Sequence, residues 1–167
     1  MADIDLGYPS ESDWPWITEQ YVETAWDSLT VERQQKISRQ IVRDCIIEQI
    51  TKFREKHGVT NQVFIARDSN GDPIGFVWVD QSRSGFTGMV QAYILSIFVA
   101  DAYRGAGLGR RLMAQAEDWA RKNDFTSIGL SVTDHNVGAI TLYENLGYKT
   151  ETLRMSKDLD GSIETQA

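Results

Sequence analysis

Between Tyr93 and Lys122 the hydrophobic period of the chain changes once, and that change restricts the fold more than any other feature. Tyr93-Ile94-Leu95-Ser96-Ile97-Phe98-Val99 is an apolar run of strand length. From Gly107 to about Lys122, Leu108, Leu112, Ala116 and Trp119 recur at helical spacing. Between the two lies Tyr103-Arg104-Gly105-Ala106-Gly107-Leu108-Gly109-Arg110-Arg111. Its glycines let the backbone turn tightly and expose its N–H groups. A helix starting there adds unpaired donors and the positive end of its dipole. The flanking arginines supply permanent charge and forked donors. Strand, glycine turn and helix start together make a cradle for a diphosphate, so the predicted ligand is a phosphorylated cofactor.

Three phosphate loops compete for this stretch. A dinucleotide fingerprint needs G-x-G-x-x-G, but Gly105, Gly107 and Gly109 alternate and Leu112 stands where the third glycine belongs. A Walker A loop ends in Gly-Lys-Ser/Thr, whereas Gly109 is followed by Arg110 and Arg111. The pattern Arg/Gln-x-x-Gly-x-Gly/Ala fits Arg104, Gly107 and Gly109. It belongs to the GNAT superfamily of acetyl-CoA-dependent N-acetyltransferases, which this chain resembles. Downstream, Asn136, Ala139, Tyr143, Asn145, Leu146, Gly147 and Tyr148 resemble the second signature of that family. Asn136 can cap a helix, with Thr133 and Asp134 as rival caps. Gly147 suits the left-handed position where a helix stops. Tyr143, seven residues after Asn136, lies two turns further on the same face. The resemblance runs from about Ile74 to Asp158.

At 167 residues and 41% hydrophobic content, one core is expected, as a single domain over residues 1–159. Residues 160–167 form a polar tail expected to fray. No apolar stretch is long enough to cross a bilayer, and Met1-Ala2-Asp3-Ile4-Asp5 lacks the character of a signal peptide. The single cysteine, Cys45, cannot form an internal disulfide and reads as helix packing. These features favour the cytoplasm. Strands are expected around Ile4–Tyr8, Val63–Ala66, Ile74–Val79, Tyr93–Val99, Ser127–Val132 and Tyr148–Leu159, with a hairpin turn at Asp68–Asp72. Helices are expected from Asp13 to about Leu29, Thr30 to His57, Gly107 to Lys122 and Asn136 to Leu146. In the second, Ile37, Ile41 and Cys45 form one apolar line, and Val42, Ile46, Ile50 and Phe53 the next. With the resemblance, this order implies an α/β (α+β) fold. Its sheet is mixed and mostly antiparallel, flanked by about four helices, with splayed central strands.

The net charge of −7 argues against a nucleic-acid partner. Residues 1–30 carry seven acids and no lysine or arginine, and Glu19, Glu23 and Asp27 share one helix face. Such a face either attracts a cationic amine or is simply solvated. The resemblance implies acetyl-CoA as co-substrate, bound by Val99, Arg104, Gly105, Gly107, Gly109, Arg110 and Asn136. It makes Tyr143 the general acid toward the coenzyme sulfur. The position where related ribosomal-protein acetyltransferases carry glutamate is Ser131, so the base stays open among Tyr93, Ser96 and Glu23. His57 and His135 read as structural, and two histidines without a cysteine cluster offer no metal site. The implied activity is acetyl transfer to a primary amine of a small, cationic molecule by direct attack in a ternary complex. A peptide or protein N-terminus is the alternative acceptor. A non-catalytic acyl-CoA-binding module and a nucleotide-binding regulatory domain are the rivals. No membrane partner is expected, and a homodimer is left open.

Overall fold

Central strands that are apolar on both faces require helices above and below the sheet. The computed structural model describes residues 4–58, 60–84 and 87–157. Its strands are β1 (Asp5–Gly7), β2 (Asn61–Arg67), β3 (Pro73–Arg83), β4 (Val90–Val99) and β5 (Ile128–Leu130). They lie side by side in chain order, antiparallel from β1 to β4 and parallel between β4 and β5. The helices are α1 (Trp14–Asp27), α2 (Val31–Lys36), α3 (Arg39–Arg54), α4 (Leu108–Lys122) and α5 (Val137–Asn145). The expected mixed, mostly antiparallel sheet is the one that forms. An Asx turn closes the β2–β3 hairpin, with Asp68 Oδ1 accepting from the amides of Asn70 and Asp72.

Along β3 the side chains alternate between two cores. Val77 and Val79 join Leu108, Leu112, Met113 and Ala116 of α4. Phe76 and Trp78 join Ile17 and Val22 of α1 and Ile46 and Ile50 of α3. Trp78 is fully buried, with the rings of Trp14 and Phe53 packed edge-on at centroid distances of 5.4 and 5.7 Å. Its indole N–H donates to Asn61 Oδ1 at 3.0 Å, which satisfies the one polar atom it carries inward.

Three expectations are corrected. The helix drawn from Thr30 to His57 is two helices, because Thr30 and Ser38 each accept a backbone N–H and start one of their own. Ile37 between them is extended, so its apolar line is interrupted. Only the line of Val42, Ile46, Ile50 and Phe53 meets the core, while Ile41 and Cys45 are exposed, so Cys45 does not pack. The last strand is absent from its described part, Tyr148–Lys157, which has no regular structure; Asp158 and Leu159 lie outside the described residues. Leu153 and Met155 there are exposed. Two apolar residues on one face give a strand too little surface to bury against β5.

Candidate active site

β4 and β5 pair through three positions only, Ala92 with Ile128, Tyr93 with Gly129 and Ile94 with Leu130. β4 then runs on to Val99, while the chain beyond Leu130 turns away toward α5. β4 and the edge strand β5 therefore part, and the β4 edge beyond Ile94 has no strand neighbour on that side among the described residues. A β-bulge sits at the same place. Trp78 faces Ser96 and Val79 faces Ile94, which leaves Leu95 as the extra residue. The bulge turns both Leu95 and Ser96 toward the α1–α3 layer, on the face that holds Trp78 and Phe98. Ser96 is 5% exposed, and its Oγ is the one buried side-chain oxygen or nitrogen without a hydrogen-bond partner among the described residues.

At the far end of the opening, β4 passes into the glycine turn. Gly105 and Gly107 have φ of 75° and 84°, and a Cβ at either would meet nothing within 4 Å. The turn is open to solvent, and its left-handed backbone suits glycine. The first amide of α4 bonded back is that of Arg111, on the Gly107 carbonyl at 3.1 Å. The N–H groups of Leu108, Gly109 and Arg110 are left as the free donors of a helix N-terminus. Arg110 is exposed and has no partner among the described residues. Arg104 instead braces the turn, donating from Nε to the Val99 carbonyl at 3.0 Å and pairing with Asp101 at 2.9 Å. Gly109 serves packing as well, since a Cβ there would lie 3.1 Å from Leu142 Cδ2 of α5.

α5 lies against the start of α4, with Leu142 beside Gly109. Of the three candidate caps, Asn136 does the capping, its Oδ1 accepting from the Ala139 amide at 3.1 Å. Gly147, at φ 91°, ends the helix in a Schellman turn: the amides of Gly147 and Tyr148 donate to the carbonyls of Glu144 and Tyr143, both at 3.0 Å. That turn seats the Tyr143 ring beside Tyr148, with centroids 6.0 Å apart. Tyr143 is 8% exposed, and burial pushes its hydroxyl above the usual phenol pKa, so it stays protonated at neutral pH. The hydroxyl has no hydrogen-bond partner among the described residues. Of the expected site residues, Val99 ends β4, Arg104, Gly105 and Gly107 lie in the turn, Gly109 and Arg110 open α4, and Asn136 and Tyr143 belong to the cap and last turn of α5.

The acidic segment is largely neutralised by its neighbours. Glu19 pairs with Arg43 and Glu23 with Arg39, across the α1–α3 contact. Glu11 pairs with Arg54, and Asp13 with Arg67. Asp27 is exposed, and its carboxylate has no partner among the described residues. Its carbonyl accepts from His135 Nε2 at 2.9 Å, which joins the end of α1 to the β5–α5 loop. This bond was not readable in advance, because 108 residues separate its partners. His57 accepts from the Val63 amide at 3.2 Å, and burial and then Arg54 hold its pKa below the usual value, a structural role. Among the described residues no cluster of three metal-ligating side chains occurs, and no helix is long and apolar enough to cross a membrane.

Known proteins resemble this chain in sequence and in fold. Over 91 residues the chain is 35% identical to the uncharacterised N-acetyltransferase YhfO of Bacillus subtilis, covering 54% of this chain and 60% of YhfO. Over 94 residues it is 34% identical to the streptothricin acetyltransferase of Streptomyces lavendulae, covering 56% of this chain and 48% of that one. The matched stretch thus spans about half the length of these curated relatives. A solved acetyl transferase structure from Pyrococcus furiosus superposes with a TM-score of 0.78 at 24% identity, covering 94% of this chain and 100% of its own, which is a likeness of fold. The sequence model of the Acetyltransferase (GNAT) family matches residues 18–148. With the parted strands, the glycine turn and the capped α5 all inside that span, the chain belongs to the GNAT acetyltransferase family.

Proposed function

We propose that the chain moves the acetyl group of acetyl-CoA to a primary amine of a small molecule, by direct attack while both are bound. The observation that carries this reading is the opening between β4 and β5 beyond Ile94, with a solvent-facing glycine turn at its far end. Residues 1–159 act as a single domain in this reading. Bound acetyl-CoA supplies a thioester-activated acyl group. The amides of Leu108, Gly109 and Arg110, together with the Arg110 guanidinium, hold the diphosphate. Gly105 and Gly107 keep the approach clear, Arg104 holds the turn against Val99, and Asn136 orients α5. The free edge of β4 donates to the acyl oxygen and offsets the charge that develops there.

The amine nitrogen bonds to the acyl carbon as the carbon–sulfur bond breaks. Tyr143 gives its hydroxyl proton to the departing sulfur and regains one from the nitrogen through solvent. Burial keeps the Tyr143 hydroxyl protonated, as a proton donor requires, while making it a weaker acid than a free phenol. A cationic acceptor is supported by the net charge and by the unpaired Asp27 at the end of α1. Thiol release over a panel of amines, beside calorimetric titration with acetyl-CoA, tests the reading. Tyr143→Phe is expected to lower kcat by about 10²-fold, a usual size for proton transfer, with Kd for acetyl-CoA unchanged. Tight binding without turnover on any amine would leave an acyl-CoA-binding module instead. Preference for ATP over acetyl-CoA would end both.

A further inference from the structure

One polar connection crosses from β4 to β5 where the strands part. The Tyr93 hydroxyl and Ser131 Oγ are 2.5 Å apart. The geometry that makes this contact is built in. Tyr93 is paired with Gly129, and its ring lies over that residue, with Cδ2 3.5 Å from where a Cβ would stand, so the ring lies across β5. The ring then delivers its hydroxyl to Ser131, just past the last paired residue. Three residues along β4, the bulge presents the buried, unpartnered Ser96 hydroxyl on the same α1-facing side. An orphaned hydroxyl at such burial is costly unless something fills the position beside it. Resting on the acetyltransferase reading above, we propose that the Tyr93–Ser131 hydroxyl pair is where the acceptor amine gives up its proton, with Ser96 holding the water that connects the pair to the opening.

The proton inventory is simple. An alkylammonium loses one proton to the hydroxyl-bound water, the water hands it to bulk solvent past the exposed Ser131, and the neutral nitrogen attacks. Nothing is oxidised or reduced. The other ionisable groups facing this pair are Tyr21 of α1, within electrostatic reach of Tyr93, and Asp80, directly across from Tyr93 in β3. Lys56, beyond the end of α3, reaches Asp80, and Cys45 of α3 reaches Tyr21. The Tyr93 ring reaches over β5, away from Asp80 on β3, so Asp80 is not part of the path.

The test compares wild type, Tyr93→Phe, Ser131→Ala and Ser96→Ala on two acceptors, an alkylamine protonated at neutral pH and an arylamine already neutral there. Phenylalanine keeps the ring over Gly129, and Ser131 is exposed, so neither change removes core packing. Expected for Tyr93→Phe is a fall of about 10²-fold in kcat/KM for the alkylamine at pH 7. The deficit should shrink toward the pKa of the amine and on the arylamine, with Kd for acetyl-CoA by calorimetry unchanged. Ser131→Ala should follow the same pattern and Ser96→Ala a weaker form of it. Equal losses on both acceptors at every pH, or no loss, would overturn the assignment while leaving the acetyltransferase reading standing. Absence of thiol release by the wild type on any amine would overturn both.

Discussion

In the turn from Val99 to Arg110, main-chain amides and one free guanidinium face solvent, whereas on α1 and α3 carboxylates and guanidinium groups face each other. The turn works through backbone conformation, so its requirements are written as glycines at fixed intervals. The α1–α3 layer works through pairs of side chains brought together from distant parts of the chain. The first kind of surface is demanding about residue type and indifferent to partner. The second tolerates change at each position but depends on what stands opposite. This contrast explains why a diphosphate-bearing co-substrate can be inferred with more detail than the amine that meets it.

The sharpest way to break the contrast is at Gly107. At φ 84° a β-branched side chain is strained by about 1–2 kcal/mol, so Gly107→Val should refold the turn and withdraw the amides. Calorimetry should show acetyl-CoA binding weakened roughly tenfold or more, since each 1.4 kcal/mol is a factor of ten. Thermal unfolding should shift by no more than that strain, because the position is exposed and no packing is lost. Unchanged affinity would mean that the turn does not hold the diphosphate.

Next in size is Asp13, the buried counterpart on the opposite layer. Burial by itself would raise its pKa. Hydrogen bonds from Ser10 Oγ and the Ser10 amide, and then Arg67, outweigh that and hold the carboxyl below its usual value. A depressed carboxyl stabilises the fold above its unfolded-state pKa, and that contribution is lost as pH falls through the folded-state value. Asp13→Asn should therefore cost roughly 1–3 kcal/mol in denaturant unfolding at pH 7, with the wild-type advantage fading as the pH drops below about 4. A deficit independent of pH would point to packing alone.

Gly109 lies where the two styles meet. Its amide is one of the free donors, yet its missing side chain makes room for Leu142. Gly109→Ala asks Leu142 to move by a few tenths of an ångström, which overpacking data put at about 1 kcal/mol, partly offset by the better helix propensity of alanine. A small loss of stability with acetyl-CoA affinity kept would assign the glycine to packing, and the reverse would assign it to the ligand.

What could be read in the sequence follows the same division. The order β4, turn, α4, β5, α5 was legible because Gly105, Gly107 and Gly147 are needed at positive φ and because the buried face of α4 keeps its period. The break at Ile37–Ser38 was not, since helical periodicity continues on both sides and only the Ser38 cap marks it. The bulge at Leu95 was hidden for another reason. It shows only in how β4 registers against β3, and within an apolar run either face reads alike. The short bond between Tyr93 and Ser131 joins residues 38 apart across the β4–β5 pairing, so it too required the assembled sheet.

The smallest expected effect tests whether the acidic face of α1 has any part in choosing an acceptor. Arg39 and Arg43 sit about one helical turn apart on α3 and engage Glu23 and Glu19, all at partly exposed positions. Exposed pairs of this kind contribute little to stability, so Arg39→Gln combined with Arg43→Gln should leave the thermal midpoint nearly unchanged. The double change also frees two carboxylates on the face that ends at Asp27. If that face meets the amine, KM for a cationic acceptor should fall at low ionic strength, and the gain should disappear as salt screens it, with a Debye length of about 10 Å at 0.1 M. A neutral arylamine should show neither change. A KM indifferent to salt for both acceptors would make the carboxylates a staple between α1 and α3 and nothing more. Recognition of the cation would then fall to Asp27 and the His135 loop.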